Sequence, residues 1–446
     1  MSTPHDAPSR DKTIFSAPYL TTTIGAFAMI VLVAFESMAV TTVMPEVARV
    51  LDGQALYATA FAAPFASGVV GMVAAGMWSD RAGPGKPLLV AFAVFSLGLA
   101  VCALASTMEI LIVGRILQGL GGGASTVVLY VLVGLIYPPR LQPPVFALFA
   151  AAWVLPALFG PYLAALIADT AGWRWVFGGT VFVVTGAVLL LIPVVRRTDM
   201  PGVEEAEPAT GRLLLALLAA ASVLGVELLA DSWPLALACA AIAVATLTRL
   251  LPAGALVLRR GLPAVIATRG LLSASFFTAE AYIVYVLQEK WGMTAAAAGI
   301  ALTCVGIVWA LGSQAQARTN NVSDSAAMTA GSLIVLLGLT LIAVAVWLDP
   351  PAWAAISMYV LAGAGMGYGY PRTGVAMLAA SSDTDRGFNS SALSIADSLG
   401  AALGLSLAGL LFAATQDTTD PFGAVYTFAA AVAVLTVLAA ARTRTT

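Results

Sequence analysis

Charged residues make up only 10% of this 446-residue chain, where ordinary soluble domains carry about 25%. Apolar residues reach 60% and the mean hydropathy is +0.94, so the chain lacks the polar surface a soluble globule needs. It reads as a polytopic membrane protein. Histidine occurs once, as His5 in the polar stretch 1–17, which excludes a His-based metal site or a Ser-His-Asp triad by inventory. Cysteine is nearly as scarce. Cys102, Cys239 and Cys304 all fall within apolar runs, where they read as small packing residues, with no disulfide framework or metal set. No cofactor and no metal is expected. The net charge is −2 and no basic patch interleaves with aromatics, so no nucleic-acid partner is expected either. Residues 1–17 are too acidic and too poorly arranged for a signal peptide, which leaves the run after them as an uncleaved first helix.

What the chain has in abundance is long apolar runs. Candidate spans lie near 18–44, 57–79, 87–106, 110–137, 143–168 and 173–195; then 213–231 and 233–251; then 264–287, 294–316, 326–348, 352–380, 388–414 and 422–441. Each is about the length a bilayer requires. The expected organisation is an N-terminal tail 1–17, a six-helix bundle 18–195, a charged linker 196–212, an extra transmembrane hairpin 213–251, a second six-helix bundle 252–441 and a tail 442–446. The fold class is all-α with fourteen spans. With both termini cytoplasmic, sixteen basic residues fall on inside loops and tails, Arg269 among them, and only Arg49, Arg174 and Lys290 fall outside. That is a decisive positive-inside bias. A plasma (inner) membrane location and a monomer are the accompanying expectations.

Several charged positions inside spans need an account. Glu36 sits in the first run with no charged neighbour closer than Glu46, and an intramembrane acid costs at least ~2.5 kcal/mol even on lenient scales. Glu36 lies ~13 Å below the outer end of its helix and Arg115 ~12 Å down helix 4, so the two can meet at one level. A nearby guanidinium favours the carboxylate while burial favours the acid, a competition suited to binding and releasing a proton. A permanent pair that only orders the helices is the alternative. Glu280 lies at the same ~13 Å depth in the first helix of the second bundle, and the two halves carry similar features, Glu36 to Arg81 and Glu280 to Arg318 being 45 and 38 residues apart. Such repeats place a transporter's site at their interface. Phe276 and Phe277 share the face of Glu280, an apolar wall suited to a lipophilic or cationic ligand, or a packing pair. Phe276, Phe277, Trp153 and Tyr282 are the candidate cavity lining. Arg372 and Asp397 lie at depths that would let them pair inside the membrane. The run Gly363-Ala-Gly365-Met-Gly367-Tyr-Gly369-Tyr-Pro371 before Arg372 is expected to bend or rock. Glu227 and Asp231, near the outer end of the extra hairpin, are expected to snorkel to the surface or pack at its edge.

Several stretches resemble the major facilitator superfamily, and within it the fourteen-helix drug:proton antiporter branch. Gly76-Met-Trp-Ser-Asp80-Arg81-Ala-Gly83-Pro-Gly-Lys86 is similar to the signature between helices 2 and 3, with the usual basic pair reduced to Lys86. The resemblance implies that Asp80 latches against the helix start near Asn389 and Ser390. Gly114-Arg115-Ile-Leu-Gln118-Gly119 is similar to the second motif, whose arginine is tied to proton coupling. Pro156-Ala-Leu-Phe-Gly160-Pro161 is similar to the antiporter motif, with proline at its first glycine position. Phe35-Glu36 through Pro45 resembles an acidic helix 1 motif, with glutamate for aspartate.

The resemblance implies a proton-driven antiporter that exports hydrophobic or amphipathic small molecules, coupled through Glu36, Arg115 and Glu280, with small molecule, protons and lipid bilayer as its partners. Export of an endogenous lipid, siderophore or metabolite, or uptake by symport, remains the alternative. An enzyme would need a His, Asp or Cys cluster at the membrane surface, and a channel would show charged rings or a filter repeat; neither is found in the sequence.

Overall fold

The computed structural model describes residues 13–197, 210–229, 232–319, 321–382, 385–417 and 420–444. Most of the expected linker and Asp231 lie outside the described residues. The first half contains α1 (Ala17–Val50), α2 (Tyr57–Ala82), α3 (Gly85–Ala103), α4 (Met108–Ile136), α5 (Gln142–Ala151), α6 (Val154–Ala171) and α7 (Arg174–Arg197). The hairpin is α8 (Thr210–Leu228) and α9 (Trp233–Leu250). The second half is α10 (Leu262–Glu289), α11 (Ala295–Arg318), α12 (Asp324–Leu348), α13 (Ala352–Ala379), α14 (Arg386–Thr415) and α15 (Pro421–Ala441). Twelve stretches among the described residues are long and apolar enough to cross a bilayer. The apolar Arg174–Leu189 part of α7 and the 28-residue α13 complete the fourteen crossings.

Composition explains the helices and local chemistry explains where they start. A backbone in lipid must satisfy its own polar groups, and apolar runs of this length do so as helices. Thr107, Thr294, Ser323 and Asp420 each accept a hydrogen bond from an amide in the first turn of α4, α11, α12 and α15, supplying partners those amides lack within the helix. One expected span is broken. The run 143–168 forms α5 and α6 with a turn at Ala152 and Trp153, because Pro156 has no amide for the Ala152 carbonyl and its ring crowds that oxygen.

Successive crossings reverse direction, so the loops at 83–84, 137–141 and 251–261 and the ends of α11 and α13 share one face, the near face. The loops at 51–56, 104–107, 172–173, 290–294 and 349–351 and the end of α14 share the far face. Cross-connections fit this layout. On the near face the Gly261 amide donates to the Arg442 carbonyl at 3.1 Å and Thr443 bonds Ser325 at 2.8 Å. On the far face Lys290 pairs with Asp420 at 2.6 Å and Trp291 donates to the Pro350 carbonyl at 2.7 Å. The halves meet where α2 packs on α14 and α6 packs on α11, and α8 lies against both α2 and α14.

The glycine run lies within one continuous helix, α13, and its glycines mark contacts: a Cβ at Gly365 or Gly367 would strike the backbone of α12 or α11. Small residues here shorten the distance between helices, which is how membrane helices gain packing energy.

Candidate functional site

Arg115, 5% exposed, is held by three groups from three directions. Its Nη1 donates to Glu36 of α1 in an ion pair, and also to Gln118 Oε1 at 2.8 Å, while Nε donates to the Ala60 carbonyl of α2 at 3.0 Å. The Ala60 oxygen is free because Pro64, four residues on, has no amide to occupy it. α4 comes close enough to α2 and α3 for this because glycines line the contact. A Cβ at Gly119 would strike the Pro64 backbone, and one at Gly114 would stand 2.8 Å from the Gly98 carbonyl. The motif glycines therefore seat the arginine.

Glu280 is 8% exposed and makes no hydrogen bond or ion pair among the described residues. The expected three-residue cluster is thus a pair plus a separate acid. One turn before it, Phe276 is fully buried, stacked on Tyr359 at 5.8 Å and edge-on to Trp309 at 5.4 Å. Phe277 packs on Phe65 of α2 at 5.4 Å. These aromatics fill the space that the sequence suggested they would line.

Tyr282, also expected to line the cavity, belongs to a seal on the far face. Tyr57 of α2 lies 5.3 Å from Tyr282 and 4.8 Å from Tyr285, ring to ring, and Phe412 and Phe422 continue the stack from α14 and α15. The Tyr57 hydroxyl donates to the Ala281 carbonyl at 2.7 Å, tying the first half to the second. Tyr57→Phe keeps the ring and removes that bond, so the thermal midpoint should fall by the equivalent of ~1 kcal/mol. An unchanged midpoint would show that the rings alone hold the seal.

Trp153, another of the four expected lining residues, borders an open cavity. That cavity, about 260 Å³, lies within the first half. Tyr130, Phe146 and Phe149 form an aromatic wall, Met29, Val33 and Leu129 are part of the apolar lining, and Ser125 and Thr126 supply hydroxyls. Among the described residues no charged side chain lines it.

The expected Arg372–Asp397 pair does not form. Arg372 turns away, pairing with Asp324 at 2.8 Å and donating to the carbonyls of Gln316 and Thr319, so it ties the α11–α12 turn together. Asp397 takes Arg269 instead, at 2.9 Å, with Ser273 and Tyr370 also donating to it and the guanidinium 3.4 Å above the Tyr370 ring. Arg269 was counted with the loop charges, but it is a residue of α10, two turns inside. Its i, i+4 partner Ser273 marks the same face, and that pairing was the available signal.

The latch is not engaged here. Asp80, Arg81 and Lys86 are exposed, and Asp80 makes no hydrogen bond or ion pair among the described residues. Asn389 is buried and donates to Ser381. The turn itself is built as expected: Gly83 has φ +72°, a left-handed value suited to glycine, and Gly76 sits 3.8 Å from Val127 when given a Cβ. The antiporter motif lies between the halves. Gly160 faces Met38 and Phe35 of α1, Pro161 faces Gly299 of α11, and Pro156 is buried in the same helix.

Comparison with known proteins gives this geometry a family. Residues 26–317 match the family model described as Major Facilitator Superfamily. A protein named probable multidrug-efflux transporter, from Mycobacterium tuberculosis, is 27% identical over 414 residues, covering 88% of each chain. Multidrug resistance protein 3 of Bacillus subtilis is 30% identical over 154 residues, covering 34% of this chain and 30% of its own. Among solved structures, a D-xylose-proton symporter aligns with TM-score 0.69 at 15% identity, over 95% of this chain and 97% of its own. A POT family transporter in complex with 5-aminolevulinic acid aligns with TM-score 0.71 at 14% identity, over 94% of both chains. At these identities the structures speak for the fold alone. The chain is a multi-pass membrane protein, and it belongs to the Major Facilitator Superfamily.

Proposed function

We propose that the protein exports hydrophobic or amphipathic small molecules in exchange for protons, as a member of the fourteen-helix antiporter branch. The observation that carries this reading is the enclosed Glu36–Arg115 pair of the first half, matched in the second half by the enclosed and unpaired Glu280. A pair that could open and an acid with no fixed partner are groups that can exchange protons as the halves move. The uncharged aromatic cavity beside Trp153 supports a lipophilic ligand, and the printed name of the mycobacterial relative points to the same class of cargo. The basic near face is taken as cytoplasmic. With the far face sealed, the arrangement corresponds to an inward-facing stage of an alternating cycle, and the free Asp80 latch fits that stage. Protonation from outside would release Glu36 from Arg115 while the cavity empties, and the return stroke would give the proton up inside.

The test uses proteoliposomes with an imposed pH gradient and a lipophilic fluorescent dye as the exported probe. Glu36→Gln and Glu280→Gln should each slow gradient-driven transport ~5- to 150-fold, the range spanned by a coupling free energy of ~1–3 kcal/mol. Dye counterflow without a gradient should persist. Full gradient-driven transport in both variants would remove proton coupling through these acids.

A further inference from the structure

Glu227 of the extra hairpin is 7% exposed: it does not snorkel to the surface, one of its two expected placements, but packs against neighbouring helices. Its Oε1 accepts a hydrogen bond from the Thr59 amide of α2 at 3.1 Å, and its Oε2 is buried with no partner among the described residues. Thr59 is the third residue of α2, so its amide is one of those a helix start leaves unpaired, and that end attracts negative charge. On its other side the carboxyl rests against α14. A Cβ at Gly409 would stand 2.7 Å from Glu227 Oε1 and 2.7 Å from the Ala58 Cβ. One side chain on the hairpin therefore bonds the first half and packs against the second. Thr59 is two residues from Tyr57, the centre of the far-face aromatic seal.

We propose that Glu227 is a positioning residue of the transport cycle: through its bond to Thr59 and its seat at Gly409 it clamps α2 to α14 and holds the far face shut. The hairpin is then a third body in the cycle, and opening of the far face requires Glu227 to leave either Thr59 or its seat at Gly409. This rests on the alternation of two openings proposed above, though not on proton coupling. It predicts that loss of the clamp favours the state open at the far face, which is closed at the near face.

Hydrogen–deuterium exchange of the full-length protein in lipid nanodiscs reads both faces without substrate or gradient. Glu227→Leu should raise exchange about tenfold in the far-face segment 54–62 and lower it in the near-face turn 80–86, the shift expected for losing one buried hydrogen bond. Gly409→Ala leaves the carboxyl in place and crowds its seat, and it should act in the same direction. Glu227→Gln keeps an acceptor for Thr59 and should stay within about threefold of the parent. Unchanged far-face exchange in Glu227→Leu and Gly409→Ala, or a rise at both faces, would overturn the clamp. So would a rise in Glu227→Gln equal to that in Glu227→Leu. If Glu227→Leu does not fold, Glu227→Met, which keeps the side chain's bulk and offers the Thr59 amide no oxygen, is read for the same reciprocal shift, because a Cβ at Gly409 also meets Ala58 and so does not isolate the carboxyl. Because exchange is read without a pH gradient, failure of the clamp and failure of proton coupling are separate results.

Discussion

Glu36→Leu should unfold at a markedly lower temperature and lose gradient-driven transport, while the double variant Glu36→Leu, Arg115→Met should recover most of the stability and none of the transport. Arg115 is enclosed, and removing its carboxylate partner leaves a buried charge uncompensated, a change that costs ~3–5 kcal/mol. Replacing both members by apolar side chains removes the charge altogether and is often neutral or stabilising. The two bonds to Ala60 and Gln118 soften the single loss without cancelling it. Thermal unfolding and transport measured on the same preparations separate the roles. If the double variant transports at the parent rate, the pair serves to order the helices and does not couple protons.

Gly123→Ala and Gly122→Ala differ by one position and should differ in sign. A Cβ at Gly123 would overlap the Gly68 backbone of α2, which cannot yield as a side chain can. Forcing α4 off α2 costs ~1–3 kcal/mol, and it carries Arg115 away from Glu36 and from the Ala60 carbonyl. A Cβ at Gly122 meets only the edge of Phe95 at 3.8 Å, an ordinary contact. There the gain in helix propensity over glycine, ~1 kcal/mol in water, should leave stability equal or higher. Lowered melting and transport in Gly123→Ala, beside a normal Gly122→Ala, is the expected pattern. Equal tolerance at both positions would show that α4 is not seated by backbone contact.

The fourteen crossings were legible because bilayer thickness sets their length, and the turn at Gly83 was legible because few residues accept its φ. The Glu36–Arg115 pairing followed from depth along two antiparallel helices, a single coordinate that happened to suffice. For Arg372 and Asp397 depth alone failed, since it says nothing of rotation about the helix axis, and Arg372 faces the α11–α12 turn. Phe276 and Tyr282 share the acid's region, yet whether an aromatic lines a cavity or fills it depends on the opposing helix, here Tyr359 and Tyr57. For Glu227 the sequence left snorkelling and packing at the hairpin's edge both open. Its partner is a backbone amide 168 residues away, and a backbone amide has no signature in the sequence.

Pro64 has no donor of its own and no charge, yet it decides what Arg115 can do. By leaving the Ala60 oxygen unused it writes an acceptor into the wall of α2, where the Arg115 guanidinium reaches it. In the proposed cycle Ala60 and Gln118 would still hold Arg115 in place when Glu36 departs. The arginine would then be a stationary reference charge and the glutamate the moving electrode, so the work of separating them would fall on α1. A half-buried proline in one helix would thereby assign the motion to another.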